Sequence, residues 1–226
     1  MSCKVHDYRE ILPIVQYWLP FVTLISLESY KAQLRAHLQQ APIAQAVGHL
    51  VHKVLELWAR QGIEQIPLDS IEERADFYQR WLGQQGLDTR QVQLAWPRAQ
   101  RCLQQAWHQP KIRWALSAQQ VDARNEYVLQ SQNAQGEVAL HIVDRTFVDA
   151  QGVRWIIDYK TSTPPDATDA QTRADFLAEQ CTRYRPQLQR YAELFQAQET
   201  RPQKQVLYFA QLDEWIELNA LSNAQP

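Results

Sequence analysis

The chain has 226 residues and a formal net charge of −2 at pH 7, and 45% of its residues are hydrophobic. This composition is ordinary for a globular protein with one sizeable domain, and it excludes an intrinsically disordered chain. Its three cysteines, Cys3, Cys102 and Cys181, are too few and too scattered for a disulfide framework or an iron–sulfur cluster. They favour a reducing compartment, so we expect a cytoplasmic protein.

The most apolar stretch of the sequence covers residues 11–27. It contains Pro13 and Pro20 and is shorter than the roughly 20 residues that a membrane-spanning helix needs. It also lacks the basic start and the small-residue cleavage site of a signal peptide. We expect no membrane association, and we interpret the stretch as buried or partner-covered structure within an N-terminal segment, residues 1–42.

Residues 43–116 are predicted to be helical. Apolar side chains recur at helical spacing over residues 44–60. Two further helices are predicted, one toward Leu82 and one toward Trp107, because each start matches the capping-box pattern. The capping pairs are Asp69 with Glu72, and Asp88 with Gln91.

The pattern changes in residues 117–220, which we expect to form the core of the domain. Runs rich in Val, Ile and aromatic residues predict strands, and a long polar and apolar repeat predicts a helix. The predicted elements are strands over 126–130, 138–148 and 153–159, a helix over 172–198 that is continuous or broken near Pro186, and strands over 203–210 and 214–218. This order predicts an α/β fold, a mixed sheet with helices on its faces.

The hairpin between the predicted strands 138–148 and 153–159 fixes the positions of three charged side chains. The loop Ala150-Gln151-Gly152 favours a left-handed glycine at its end, with Asp149 opposite Val153. This register places Asp144 directly opposite Asp158, with Cβ atoms about 5 Å apart. Lys160, two residues beyond Asp158, then points to the same face.

Two carboxylates this close repel each other, so a packed sheet requires compensation. A divalent cation would supply it, and would also acidify a bound water and polarise a phosphoryl oxygen. Lys160 could position that water or stabilise the developing charge. The alternative is a salt bridge between Lys160 and either aspartate, without chemistry. A shift of one residue in register would move Asp144 to the other face.

Four motifs occur in a fixed order along the chain. They are Gly48-x-x-x-His52, His141-Ile-Val-Asp144-Arg145, Ile156-Ile157-Asp158-Tyr159-Lys160-Thr161 and Gln187-x-x-x-Tyr191. They resemble the nuclease core of the RecB/AddA-type helicase–nucleases, in the PD-(D/E)XK superfamily, and the resemblance spans roughly residues 44–210. The resemblance implies a restriction-endonuclease-like fold with a helical N-terminal region.

The resemblance also implies roles for individual residues. The metal, Mg²⁺ or Mn²⁺, would be bound by His52, Asp144, Asp158 and the backbone carbonyl of Tyr159. Lys160 would be the catalytic lysine, while Gln187 and Tyr191 would border the site and help to hold DNA or Lys160.

Two further residues leave alternatives open. Glu126 resembles the acidic residue on the first core strand of the family, with either a catalytic or an ordinary surface role. His141 stands where the family usually has glycine. It would crowd the site, add a polar group near the DNA, or serve only the structure.

These expectations describe a Mg²⁺- or Mn²⁺-dependent deoxyribonuclease, an exonuclease on single strands or DNA ends in repair or recombination. The sequence has no Gly-x-x-x-x-Gly-Lys-Ser/Thr loop, so we expect no ATP site. A helicase subunit or a larger helicase–nuclease would then supply the motor. The segment from Cys181 to Lys204 is locally basic, and its residues around Arg183, Arg185 and Arg190 would follow the DNA backbone. The alternatives are a catalytically inactive DNA-binding or assembly module, and a metal-binding protein unrelated to DNA.

Overall fold

The computed structural model describes the backbone of residues 27–132 and 135–218, with side chains from residue 40 onward in those ranges. The chain divides into two compact units, residues 1–39 and 40–226. The side chains discussed below all belong to the second unit. The predicted apolar stretch at residues 11–27 lies outside the described side chains, and the finer division at residues 42 and 116 stays a prediction.

The helices precede the sheet, with one exception that connects two strands. They are α1 (Leu27–Gln61), α2 (Ser70–Glu73), α3 (Ala75–Gln84), α4 (Thr89–His108), α5 (Pro110–Ala115) and α6 (Ala170–Gln196). No helix in the described ranges is both long and apolar enough to cross a membrane. The break near Pro186 does not occur, because α6 continues through this proline.

The predicted capping box at the start of α4 is confirmed. The Asp88 carboxylate accepts from the backbone N–H of Gln91 at 2.8 Å, and the Gln91 side chain accepts from the Asp88 N–H at 3.0 Å. The predicted capping box of Asp69 and Glu72 is wrong. Asp69 has helical backbone angles and caps nothing with its side chain. The Glu72 carboxylate instead accepts from the side chains of two α4 residues, Gln100 and Gln104. This tertiary contact replaces the local one, and the helix predicted toward Leu82 is split into α2 and α3.

The strands form one mixed sheet in chain order. They are β1 (Val121–Gln132), β2 (Val138–Val148), β3 (Arg154–Lys160), β4 (Gln203–Phe209) and β5 (Glu214–Leu218). Neighbouring strands are antiparallel except β3 and β4, which are parallel and joined through α6. Parallel strands need such a crossover, because a tight turn reverses the chain direction and can join only antiparallel strands. The predicted mixed sheet flanked by helices is confirmed.

The sheet is buried on both faces at its centre, along β3 and most of β4, whereas the outer parts of β1 and β2 are exposed. On one face, α1, α4 and α5 pack against side chains that include Phe147, Trp155 and Ile157. On the other face, α6 packs Leu188 and Phe195 against a second cluster. Odd and even positions of β3 therefore serve opposite cores, which fixes the register of the strand.

The β2–β3 hairpin forms as predicted. Gly152 has φ 79°, in the left-handed region that glycine adopts without a steric penalty. The Asp149 carboxylate accepts from the backbone N–H groups of Gln151 and Val153, each at 2.9 Å, and from the Trp155 indole at 2.6 Å. The ladder beyond this loop follows the predicted register.

A buried arginine connects the start of β3 to β1 and to α6. Arg154 is 3% exposed and donates to the Glu199 carboxylate at 2.8 and 3.1 Å. It also forms an ion pair with Asp122 at the start of β1. Its guanidinium lies over the Phe195 ring of α6, 5.0 Å from the centroid. These hydrogen bonds hold the pKa of Glu199 and that of Asp122 below their ordinary values.

We expect Arg154→Met to lower the free energy of unfolding by about 3 kcal/mol at neutral pH, because it leaves two carboxylates without their shared partner. The two lowered carboxylate pKa values make this contribution fully present above the unfolded-state pKa. It is lost as the pH falls through the folded-state values, so wild type and variant should converge in acid. Urea unfolding followed by tryptophan fluorescence measures both effects.

Arg201→Met is the matched control, since Arg201 contacts the same Glu199 carboxylate but is half exposed. An exposed pair of this kind contributes less than about 1 kcal/mol. Equal losses in the two variants would contradict the role given to Arg154.

Candidate active site

His52 lies on α1 beside the end of β3. Its Nε2 is 3.1 Å from the backbone carbonyl oxygen of Tyr159, and its Nδ1 is 3.5 Å from the Asp144 carboxylate. Gly48 lies one turn earlier on α1. A Cβ there would lie 3.4 Å from the Thr161 hydroxyl, so α1 is in contact with the chain that follows β3 at this point.

Asp144 marks the point where β2 separates from β3. The last backbone pair between these strands joins Arg145 and Ile157. One residue further, the Asp144 carboxylate accepts from the backbone N–H of Tyr159 at 2.6 Å. A side chain thus satisfies an N–H that the ladder leaves unpaired, and this bond aims the carboxylate at the end of β3.

The side chains of β2 change faces at Asp144. Phe147 packs against α1 and its neighbours, whereas Val143 packs in the α6 cluster, although both have odd numbers. Strict alternation would have kept them on one face. On β1, the residue opposite Asp144 is Glu126, and its φ of 47° is a left-handed value that side chains rarely adopt. Both strands are therefore irregular at this level.

This irregularity gathers three potential metal ligands. One ligand atom each from His52, Glu126 and Asp144 lie within 4.8 Å of one another. Glu126 is exposed and the other two are half-buried. The group therefore opens to solvent on the Glu126 side.

Asp158 lies at the buried base of the site, at 3% exposure, in a network that reaches α6. Its Oδ2 contacts the Lys160 ammonium, and its Oδ1 accepts from the Gln187 amide at 3.1 Å. The same amide donates to the Tyr191 hydroxyl at 2.7 Å. That hydroxyl donates to the Ile142 carbonyl at 2.8 Å. The network connects β3, α6 and the outer part of β2.

The electrostatics show an excess of negative charge. Burial raises the pKa of Asp158 to about 6, and the Asp144 charge adds to this rise while Lys160 opposes it. Although Glu126 is exposed as a whole, partial desolvation of its carboxyl group raises its pKa, again with a contribution from Asp144. For His52, burial lowers the pKa, but the carboxylates around it outweigh burial and raise it. All three raised pKa values show that added positive charge would stabilise the site.

A divalent cation fits this donor set. Carboxylate, imidazole and carbonyl groups are the ligands that such cations take. The buried Asp158 Oδ2 contacts only the Lys160 ammonium among the described residues, so it retains lone-pair capacity for a cation.

The structure brings several of the predicted site residues together. His52, Asp144 and the Tyr159 carbonyl lie close to one another, and they are joined by the carboxylate of Glu126, whose role the sequence analysis left open. Asp158 lies beside the group rather than within it, so its predicted role as a ligand stays a prediction.

The sequence analysis assigned no role to Tyr184. The face of its ring lies 3.8 Å from the Lys160 ammonium. The signal was its spacing, since Tyr184, Gln187 and Tyr191 recur at helical intervals on the face of α6 that meets the site.

His141 does not enter the group of potential ligands. Its Nε2 lies 2.8 Å from the Ser131 hydroxyl of β1, and its ring is edge-on to Tyr191 at 6.4 Å. Of the three alternatives, these contacts favour a structural role on the α6 side of the hairpin.

A mixed sheet between helices, with acidic ligands and an Asp-x-Lys pair at the end of a hairpin, defines the restriction-endonuclease-like nucleases. The chain matches the family model of the PD-(D/E)XK nuclease superfamily over residues 28–219, and it belongs to that superfamily. Membership implies nuclease hydrolase activity that uses a divalent metal. A search of curated proteins found no match to the chain.

We expect the Asp158 carboxylate to make the metal-free protein less stable as the pH rises. Its folded pKa of about 6 lies above its ordinary value of 3.8. The folded state therefore holds the proton longer, and stability falls across that window. Relative to wild type, Asp158→Asn should gain about 1 kcal/mol between about pH 5 and about pH 7. Urea unfolding in a chelator measures this difference.

Asp175→Asn, which removes an exposed carboxylate from α6, is the matched control. Its difference from wild type should not change across the same window. The interpretation would be wrong if Asp158→Asn and Asp175→Asn showed the same pH dependence.

Proposed function

We propose that this protein is a Mg²⁺- or Mn²⁺-dependent deoxyribonuclease of the RecB/AddA type. It would act as an exonuclease on single strands or DNA ends in repair or recombination, in the cytoplasm. The observation that carries the proposal is the convergence of His52, Glu126 and Asp144 next to the Asp158–Lys160 pair. The free thiols of Cys102 and Cys181 agree with a reducing compartment.

In this proposal, five groups would hold the metal. They are the side chains of His52, Glu126, Asp144 and Asp158 and the carbonyl of Tyr159. A bound divalent cation supplies an acidified water and polarises a phosphoryl oxygen. The imidazole completes the set only when one of its nitrogens is deprotonated, so metal and proton compete for His52.

Lys160 is the group that would act on the scissile phosphate. Without a metal its ammonium is bound between the Asp158 carboxylate and the Tyr184 ring. Positive charge at Asp158 weakens the first attraction and leaves the second, so the ring would keep the ammonium within the site. From there Lys160 can orient the attacking water or stabilise charge on a phosphate oxygen.

The basic residues of α6 support DNA as the substrate. Arg183 and Arg190 are exposed and lie seven residues apart, on either side of Gln187 along one face of the helix. Two other members of the predicted basic run have partners, since Arg201 pairs with Glu199 and Lys204 with Glu217. The proposed path for a strand therefore follows α6. The helicase partner stays part of this proposal, with residues 11–27 as the surface that would meet it.

The test is cleavage of a labelled single-stranded oligonucleotide with Mg²⁺ or Mn²⁺. Asp144→Asn and Asp158→Asn should each lower the rate about a hundredfold or more, and chelation should abolish it. Glu126→Gln should weaken Mn²⁺ binding about tenfold, measured as the metal-induced rise in melting temperature.

Glu179→Gln, an exposed carboxylate on α6, is the control and should match wild type in both assays. DNA binding without cleavage under either metal would favour the inactive module. Metal binding without salt-dependent DNA binding would favour the metal-binding protein unrelated to DNA.

A separate expectation concerns Tyr184. Tyr184→Leu should lower kcat about tenfold with little change in KM, because a desolvated cation–π contact contributes about 1–2 kcal/mol. Tyr184→Phe retains the ring and should retain the rate. A rise in KM alone, or equal losses in the two variants, would show that the ring does not hold Lys160.

A further inference from the structure

A second cleft adjoins the site where the chain leaves β3. Its volume is about 560 Å³. Three consecutive hydroxyl residues, Thr161 to Thr163, form one wall, and α1 and α4 form the others. The lining residues are Gln40, Ala44, Val47, Arg98, Thr161, Ser162, Thr163, Pro164, Pro165 and Gln211.

The charge of this cleft is positive. Arg98 is the one cation among the described residues that line it, and no carboxylate lines it. The guanidinium of Arg98 forms no ion pair and no hydrogen bond within the described part of the chain. A larger cleft of about 880 Å³ elsewhere on α4 is lined by Asp69, Glu72 and Asp213. Its carboxylates would repel an anion, so the two clefts are chemically distinct.

The position of the cleft relates it to the reaction. Thr161 directly follows Lys160, and its hydroxyl lies against Gly48, one turn from His52. Along α1, the lining residue Val47 lies about 7.5 Å from His52, at 1.5 Å per residue. A strand bound at the metal ligands therefore needs one or two nucleotides to reach the cleft.

The wall that carries the hydroxyls is conformationally restricted. Pro164 and Pro165 have fixed φ values, and a proline restricts the residue before it to extended backbone. Thr163 also donates to the Pro164 carbonyl at 3.4 Å. A wall with few conformations loses little entropy when it binds a ligand.

We propose that this cleft binds a phosphate group of the substrate strand, one or two nucleotides from the scissile bond. Arg98 supplies the charge, and the hydroxyls of Thr161 to Thr163 supply hydrogen bonds. Guanidinium and hydroxyl groups are standard phosphate ligands, and the absence of lining carboxylates leaves the charge of Arg98 available. The proposal rests on the proposed function, because it places a second contact on the same strand.

The experiment measures binding rather than cleavage, so that it does not depend on the metal. The full chain is titrated with a labelled oligothymidylate in a chelator at several salt concentrations. Arg98→Gln should weaken binding about tenfold, the effect of one charge-assisted hydrogen bond. The slope of log K against log salt should become shallower by about 0.7, since one phosphate contact on a single strand is lost. Arg98→Lys keeps the charge and should keep the slope.

Arg101→Gln is the matched control, since it removes the same charge one turn further along α4, in the acidic cleft. It should leave affinity and slope close to wild type. Equal effects from the two glutamine variants, or wild-type binding by Arg98→Gln, would overturn the subsite. Loss of cleavage in Asp144→Asn would still stand in that case, so the two proposals fail separately. Melting temperatures of the variants establish that each is folded.

The same titration identifies which phosphate is bound. Oligothymidylates with a 5′-phosphate, a 3′-phosphate or hydroxyls at both ends are compared. A terminal site predicts that one phosphorylated end strengthens wild-type binding and that Arg98→Gln removes this gain. If the bound phosphate is internal, Arg98→Gln should show the same loss of affinity and of salt slope with all three oligothymidylates.

Discussion

The repulsion among carboxylates at the junction of β2 and β3 is the constraint on which the rest of the structure depends. Glu126, Asp144 and Asp158 come from three neighbouring strands and meet at one level of the sheet. Each added carboxylate raises the cost of ionising the others, and burial at Asp158 raises it further. One lysine and one histidine, Lys160 and His52, offset part of this repulsion, which is consistent with a site that is completed by a cation.

Such a site requires support from both sides of the sheet, because repelling groups would otherwise separate. On one side, α1 places His52 against the end of β3, and the large helical core holds α1 in position. On the other side, α6 places Gln187 on Asp158 and Tyr191 on the backbone of β2. The two cores thus determine the distances within this group of side chains, and a loss of packing in either core would change those distances.

Local chemistry predicted much of this arrangement. The left-handed glycine and the Asp149 turn determine the register of the hairpin, so the positions of Asp144 and Asp158 along their strands follow from the loop. The change of faces at Asp144 could not be predicted, because it depends on a left-handed backbone at Glu126 that no residue preference indicates. For the same reason the sequence placed Asp158, rather than Glu126, in the group around His52. The capping pattern at Asp69 failed because Glu72 contacts α4 instead, and a single sequence does not reveal such a tertiary contact.

In the metal-free arrangement, the proposed catalytic lysine is paired with a proposed metal ligand. Lys160 compensates Asp158 while no cation is present, so the lysine is held by the carboxylate that a cation would take over. In the proposed mechanism, a bound cation would take over the Asp158 carboxylate and weaken its attraction for Lys160. Tyr184 offers the ammonium a second contact, with a ring that carries no charge. The proposed order, metal first and lysine second, would then follow from the competition of two cations for one carboxylate.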